Sequence, residues 1–182
     1  MAVVNNEAEF RKQIEESIRG DPKAALASIP DELKRAMKML PQHVNVLAKC
    51  LEEKPYDLGA LKNGIYCAIE LKNVTDCLAF NINRIEKHQI KALKQVFKCG
   101  GLSYCLCRFR KGLTKGERKR LNTQLFSINT AFALPIQWIV KQKEKSLPIE
   151  LLYEQTIVLP YNPLTEKYDL DVLWTSQKKK PS

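Results

Sequence analysis

The residues with the clearest chemical potential are the lysines and arginines between positions 84 and 120. This segment holds twelve basic and two acidic side chains, and their difference equals the net charge of +10 of the whole protein. The rest of the chain carries the other eighteen basic and eighteen acidic side chains, which cancel. A basic excess in one segment is typical of a surface that binds a polyanion, with nucleic acid as first candidate. The twelve residues are Arg84, Lys87, Lys91, Lys94, Lys98, Arg108, Arg110, Lys111, Lys115, Arg118, Lys119 and Arg120.

Five of these cations are spaced as on one face of a helix. At about 100° per residue, Arg84, Lys87, Lys91, Lys94 and Lys98 fall inside an arc of about 80°. Apolar residues of the same segment lie on the opposite side, where they can pack against a core. A row of like charges repels itself, but it suits the phosphates of a nucleic acid strand. The alternative is an ordinary solvated face whose lysine stems cover apolar neighbours.

The second half of the basic segment combines a glycine-containing loop with a predicted helix start. Thr114 and Glu117 fit a capping box, and the free amides of a helix N-terminus bind anions. Arginine can hold a phosphate with two hydrogen bonds or stack on a base. A solvated loop or a nuclear-localisation patch are the alternatives. We expect the main anion site at Arg108, Arg110, Lys111, Arg118, Lys119 and Arg120.

Metal and catalytic motifs are weakly represented. His88, Cys99, Cys105 and Cys107 supply four potential ligands, but their H-x10-C-x5-C-x-C spacing matches no zinc class. The chain has two histidines and lacks the glycine loop, H-E-x-x-H and G-x-S-x-G patterns of common enzymes. The sequence therefore predicts no metal, no cofactor and no enzymatic activity.

Apolar spacing predicts helices almost throughout the chain. Leu58, Leu61, Ile65 and Ile69 follow the three–four spacing of a buried helical stripe. Residues 102–110 fit either a helix or a short strand. We therefore expect an all-α domain, built as a compact irregular multi-helix bundle or as a short stack of helical hairpins.

Caps and breakers give the helix boundaries. Residues 6–20 should form a first helix, with Asn6 as its cap and Gly20 as its stop. A longer helix should run from Val74 to Lys98 and end at Gly100, and another should carry Leu121 to Phe132. A last short helix is expected at Ile149 to Gln155.

The hairpin-stack alternative depends on one short segment. Phe97 to Leu102, with Leu106 beyond it, resembles the helix junction of an armadillo repeat. This resemblance implies stacked helical hairpins of the armadillo or HEAT type. The sequence shows no clear internal repeat, so the bundle and the stack both stay open.

The composition changes near residue 159. We expect a helical domain over residues 1–158 and an extended C-terminal tail over residues 159–182. The tail combines large apolar anchors with two acids, a pattern that docks in a groove of a partner chain or folds back on its own domain. The anchors are Tyr168, Leu170, Val172, Leu173 and Trp174.

Together these patterns predict a non-catalytic helical module that binds RNA, or less readily DNA, through the phosphate backbone. Self-association into a homo-oligomer would extend the basic surface. The main alternative is an adaptor or complex subunit that binds an acidic protein through the basic segment, or a partner groove through the tail. Attachment to an anionic membrane is a third hypothesis.

The start of the chain and its hydropathy indicate a location. The first residues are polar and acidic, unlike a signal peptide, and no apolar run is long enough to span a membrane. We therefore expect a cytosolic or nuclear protein that is not secreted, with its six cysteines reduced.

Overall fold

A six-stranded mixed sheet forms the centre of the computed structural model, which describes residues 6–26, 56–74, 79–109 and 129–175. The strand order is β1-β2-β3-β5-β6-β8. These strands are β1 (Ala24–Leu26), β2 (Leu58–Lys62), β3 (Ile65–Val74), β5 (Leu102–Phe109), β6 (Ala131–Pro135) and β8 (Ile157–Leu159).

Neighbouring strands of the sheet are antiparallel, except that β3 and β5 are parallel. Helix α1 (Asn6–Arg19) precedes the sheet. The connection from β3 to β5 contains β4 (Ala79–Asn81), a 3-10 turn (Ile82–Arg84) and helix α2 (Lys87–Lys98). The remaining elements are α3 (Ile136–Ile139), β7 (Ser146–Pro148), α4 (Ile149–Gln155), β9 (Tyr161–Asn162), β10 (Lys167–Tyr168) and α5 (Asp171–Thr175).

The sheet has an apolar cluster on each face, because successive strand residues point to opposite sides. On one face, Phe10 and its neighbours on α1 pack with Ile69 and Leu106. On the other face, Leu93 of α2 packs with Cys105 and other strand residues. The two helices thus enclose β3 and β5, and any polar group on these strands lies beneath a helix.

The all-α prediction is wrong, and so are both of its architectures, the bundle and the helical stack. The stripe that predicted a helix from Leu58 to Ile69 forms the hairpin of β2 and β3 instead. Strands covered on both faces are apolar almost throughout, so apolar residues fall at helical spacing by chance. Asn63 and Gly64 form the turn with φ values of 51° and 77°, the left-handed geometry of a two-residue hairpin turn.

Other boundaries change for the same reason. The ambiguous segment after Gly101 is a strand, and all eight residues of β5 are buried. The long helix predicted from Val74 to Lys98 forms only in its second half. Val74 is the last residue of β3, and α2 begins at Lys87. Ala131 and Phe132 lie in β6 and not in a helix.

Predictions that rested on local signals are confirmed. Helix α1 occupies the predicted range and buries Phe10, Ile14 and Ile18. Helix α4 spans the predicted Ile149–Gln155. Gly100 follows the end of α2 with a φ of 85°, the conformation that favours glycine at this position.

The predicted extended tail is also wrong for the part that the structure describes. Tyr168, Leu170 and Leu173 are buried, and Val172 and Trp174 pack beside them in the cluster under α1. The five predicted partner anchors therefore fold back on their own domain, which was the alternative. The predicted boundary at residue 159 falls within β8. Among the described residues, no helix is long and apolar enough to cross a membrane.

Candidate active site

Two carboxylates meet where β2 begins. Leu58 pairs with Ile69 in the β2–β3 register; Asp57 directly precedes Leu58, and Glu70 directly follows Ile69. Side chains opposite each other on antiparallel strands lie about 5 Å apart at Cβ. The hairpin therefore holds two acids side by side, although thirteen positions separate them in the sequence.

Glu70 is the most constrained of these acids. Its side chain is 1% exposed, beneath α2. Its Oε1 accepts contacts of 2.6 Å from Lys72 Nζ and from Gln89 Nε2. Its other oxygen, Oε2, is buried and has no hydrogen-bond partner among the described residues. One buried carboxylate oxygen is therefore left for a further ligand.

The environment of Glu70 changes its protonation. Burial raises the pKa of Glu70 to about 7, Lys72 partly opposes this rise, and Asp57 adds to it. Burial acts to lower the pKa of Lys72, but the hydrogen bond and charge of Glu70 outweigh it, so that pKa is raised. Lys72 is therefore a cation at neutral pH, and Glu70 is poised between its two states.

Asp57 is fixed by neighbours on both sides. Its Oδ2 accepts a 2.8 Å hydrogen bond from Leu71 N, and its Oδ1 lies 3.9 Å from Arg11 Nη1. The preceding residue, Tyr56, shares a 2.8 Å hydrogen bond between its hydroxyl and that of Tyr66. The start of β2 is thereby tied to both β3 and α1.

A cleft opens beside Asp57. Its volume is about 250 Å³, and it lies between the first turns of α1 and the middle of β3. Its lining residues are Glu7, Ala8, Arg11, Asp57 and Leu71. The cleft gives a solvent-borne substrate access to Asp57.

The donor set fits a hard divalent cation. Magnesium is commonly held by one or two carboxylates, with water and substrate phosphate completing its shell. Asp57 and Glu70 supply two carboxylates, and the unpartnered Oε2 is the oxygen that a cation would satisfy. No group of three or more His, Cys, Asp or Glu side chains within the described ranges is arranged to hold a metal. The pair therefore suits a magnesium-like ion that also binds substrate.

The predicted basic stripe is exposed in the structure. Lys87, Lys91, Lys94 and Lys98 are exposed on α2, and Arg84 is exposed on the turn before it. The same helix carries Gln89, which contacts Glu70. Helix α2 thus presents the lysines to solvent and also contacts Glu70 through Gln89.

Arg108 does not belong to an exposed anion site. It is 2% exposed, and its guanidinium donates hydrogen bonds of 2.9 Å to Asn73 Oδ1 and to Gln13 Oε1. Its Cζ also lies 4.8 Å from the ring centre of Phe10. It is a core residue that ties β5 to α1.

The other predicted residues divide into two groups. Cys105 and Cys107 are buried in the core, whereas Cys99 and His88 are exposed. The rest of the second basic cluster lies outside the described residues and stays a prediction. These residues are Arg110, Lys111, Lys115, Arg118, Lys119 and Arg120.

Sequence reasoning missed Asp57, Glu70 and Lys72. A signal was present, because Glu70 and Lys72 interrupt an otherwise apolar run at alternate positions and so share one face of a strand. The Asn63–Gly64 turn is the strongest short-range hairpin signal. This turn lies midway between Asp57 and Glu70, so the hairpin that it closes brings these two residues opposite each other.

The comparison with protein families gives this arrangement a context. A sequence model of the family described as "RecU: Recombination protein U" matches residues 28–170, most of the chain. The chain belongs to the recombination protein U family. The matched range includes Asp57, Glu70, Lys72 and α2, but not α1.

Among solved structures, the chain is similar to Hjc of Archaeoglobus fulgidus, a Holliday junction resolvase from an archaeal hyperthermophile. The identity is 15% and the TM-score 0.42, over 82% of this chain and 91% of that one. No curated protein matches the chain.

Family membership settles part of the sequence prediction. A nucleic-acid-binding protein is confirmed. The preference for RNA is not supported, because recombination is a process of DNA. The prediction that the protein is not an enzyme is wrong, because the family consists of nucleases.

Proposed function

We propose that this protein is a divalent-cation-dependent endonuclease that cleaves branched DNA formed in recombination. The observation that carries the proposal is the grouping of Asp57 and Lys72 with the buried Glu70, one of whose carboxylate oxygens has no partner among the described residues. Two carboxylates and a lysine around one point supply what phosphodiester hydrolysis requires, namely charge neutralisation and a means of orienting water.

Each side chain has a distinct part in this reaction. Asp57 and Glu70 would hold the cation, which when bound neutralises phosphate charge and lowers the pKa of water. Lys72, which stays protonated, places its ammonium group beside Glu70 and can donate a hydrogen bond to a phosphate oxygen. Attack by water on phosphorus breaks one bridging P–O bond, leaving a phosphate on one DNA end and a hydroxyl on the other.

The DNA would lie across α2. Lys87, Lys91, Lys94 and Lys98 are exposed on this helix, and Gln89 on the same helix reaches Glu70. A strand bound by these lysines would therefore pass close to the carboxylates. The second basic cluster, residues 110–120, would add further phosphate contacts.

Membership of a recombination protein family suggests a four-way junction as substrate, because strand exchange between two duplexes produces such junctions. Resolving a junction requires cuts in two strands, which the predicted homo-oligomer would supply by pairing two sites. Action on DNA also agrees with the predicted cytosolic or nuclear location.

The test is cleavage of a synthetic four-way DNA junction, with linear duplex DNA and RNA as comparison substrates. We expect wild-type protein to cut the junction in magnesium or manganese and to leave it intact in chelator. Asp57→Asn and Glu70→Gln should each lose cleavage by about 10³-fold or more while still binding the junction. Equal cutting by Asp57→Asn and wild type would show that the nuclease is a contaminant or that the site is elsewhere.

The control variant is Glu144→Gln, which removes one negative charge from an exposed loop. Its cleavage rate should equal that of wild type. If wild-type protein binds the junction but does not cut it in either metal, a non-catalytic recombination protein is the better conclusion.

A further inference from the structure

Arg11 is the one cation among the described residues that line the cleft, where Glu7 and Asp57 supply two acids. It lies on α1, opposite the strand that carries Glu70 and Lys72, and its side chain is 39% exposed. Arg11 therefore stands beside Asp57 at the cleft, while Lys72 pairs with Glu70 on the strand. The recombination protein U match begins after α1, so it says nothing of Arg11.

The guanidinium of Arg11 is anchored by groups other than the Asp57 carboxylate. Its Nη2 donates a 2.9 Å hydrogen bond to the carbonyl oxygen of Asp57, and its Nε donates 3.0 Å to Glu15 Oε1. Two anchors hold the planar group in one orientation. Arginine alone can be fixed in this way and still present donors to a ligand, because it has five N–H groups in a rigid fork.

Arg11 lines the cleft, and the remaining nitrogen of its fork is Nη1. Nη1 lies 3.9 Å from Asp57 Oδ1, beyond hydrogen-bond distance, and makes no shorter polar contact with any described residue. Nη1 is therefore held at ion-pair distance from this carboxylate, while its N–H groups make no hydrogen bond to it. An anionic ligand in the cleft would accept hydrogen bonds from these unused N–H groups.

We propose that Arg11 is a phosphate-binding residue of this site and contacts the DNA phosphate next to the one that is cleaved. The inference rests on the proposed function in taking DNA as the ligand. A phosphodiester that approaches two carboxylates is repelled, and a fixed guanidinium on the open side of Asp57 offsets this repulsion. The competing explanation is that Arg11 only ties α1 to the start of β2.

Salt dependence of junction binding separates the two roles. Binding is measured in chelator, so that the DNA stays intact, for wild type, Arg11→Gln, Arg11→Lys and the control Lys12→Gln. Lys12 is its neighbour on α1 but is 75% exposed and pairs only with Glu16 in the described structure. Loss of one phosphate contact should reduce the slope of log affinity against log salt by about one. We expect this change for Arg11→Gln and not for Lys12→Gln.

Neutralised phosphates give the decisive comparison. Junctions carrying a single methylphosphonate at successive positions around the branch are bound to wild type and to Arg11→Gln. At one position, we expect neutralisation to weaken wild-type binding by about 10-fold and to leave Arg11→Gln unchanged. If every position weakens both proteins by the same factor, Arg11 makes no phosphate contact and the inference is overturned.

Folding and catalysis are read separately. Arg11→Lys keeps the charge but not the fork, so it should recover the salt slope while binding more weakly than wild type. Thermal unfolding of each variant shows whether the fold is intact. If Arg11→Gln is destabilised, the comparison of Arg11→Lys with wild type tests the phosphate contact instead. Because these measurements need no cleavage, a wild-type protein that binds but does not cut would end the nuclease proposal and still test Arg11.

Discussion

Gln89 Nε2 donates a 2.6 Å hydrogen bond to Glu70 Oε1, and this contact joins the basic helix to the acidic strand. The amide is fixed at its other end, because Gln89 Oε1 accepts a 2.9 Å hydrogen bond from Glu86 N at the start of α2. The helix cap and the buried carboxylate therefore share one side chain. The exposed lysines of α2 are thereby held in a defined position relative to Glu70.

Gln89→Ala should slow junction cleavage by about 10-fold and leave junction affinity unchanged, because the lysines of α2 remain while Glu70 loses a positioning partner. Single-turnover cleavage rates and binding in chelator measure the two effects. The control is Gln95→Ala on the same helix, whose amide donates a 3.5 Å hydrogen bond to the exposed Cys99 Sγ and makes no other side-chain contact with a described residue. A loss of affinity that matches the loss of rate would indicate that Gln89 serves the helix and not the carboxylate.

Glu70 should make the stability of the metal-free protein depend on pH. Burial raises the pKa of Glu70 from 4.5 to about 7, so the native state binds this proton more tightly than the unfolded chain. The resulting stabilisation is complete below pH 4.5 and is lost as the pH rises through 7, by about 3 kcal/mol. Urea unfolding of wild type and Glu70→Gln from pH 4.5 to pH 8 measures the loss, which the variant should not show. If the free energy of unfolding depended on pH in the same way for the two proteins, the raised pKa of Glu70 would be contradicted.

A divalent cation should compete with that same proton. At a magnesium concentration ten times its dissociation constant, binding to the native state adds about 1.4 kcal/mol of stability. The gain should be largest above pH 7, and the apparent affinity should fall about tenfold for each pH unit below 7. Thermal unfolding with and without magnesium measures it. Asp57→Asn should abolish the gain and Glu144→Gln should keep it; an equal gain in both would place the cation elsewhere.

Local signals in the sequence identify part of this fold. Helices α1 and α4 were predicted from caps and breakers, which act within a few residues. The hairpin was missed because Leu58, Leu61, Ile65 and Ile69 fit a helical period. The turn residues Asn63 and Gly64, which lie between them, argue against a helix. On two-sided strands that period carries little information, and the turn at Asn63 should have decided the assignment.

The candidate site could be predicted only in part, for a related reason. The exposed lysines of α2 follow from helical geometry, which the sequence shows directly. Asp57 and Glu70 come together through strand register, and Gln89 reaches Glu70 because α2 packs on the sheet. Contacts between residues far apart in the chain produce no periodic pattern in the sequence. Arg108 was assigned to the surface by its basic neighbours, whereas the register of β5 places it beneath α1.

The exposed cations of α2 should govern the salt dependence of DNA binding. Lys91→Gln and Lys94→Gln should each lower the slope of log affinity against log salt by about one, and the double variant by about two. Neither change should affect stability by more than about 0.5 kcal/mol, because both side chains are solvated. Junction binding at several salt concentrations measures the slopes. The control is Lys143→Gln, an exposed lysine in the loop after α3, and a slope lowered equally by it would show that only net charge matters.

Arg108 should behave in the opposite way. Arg108→Met keeps the apolar stem but removes the guanidinium that donates to Asn73 and Gln13, so that each of these two buried amide groups loses that hydrogen bond. We expect a loss of about 2–4 kcal/mol in the free energy of unfolding and an unchanged salt slope. Arg84→Met is the matched variant, since it removes the same charge from an exposed position and should lower the slope without affecting stability. If the two variants changed the slope equally, Arg108 would have to reach DNA from a conformation in which α1 has moved away.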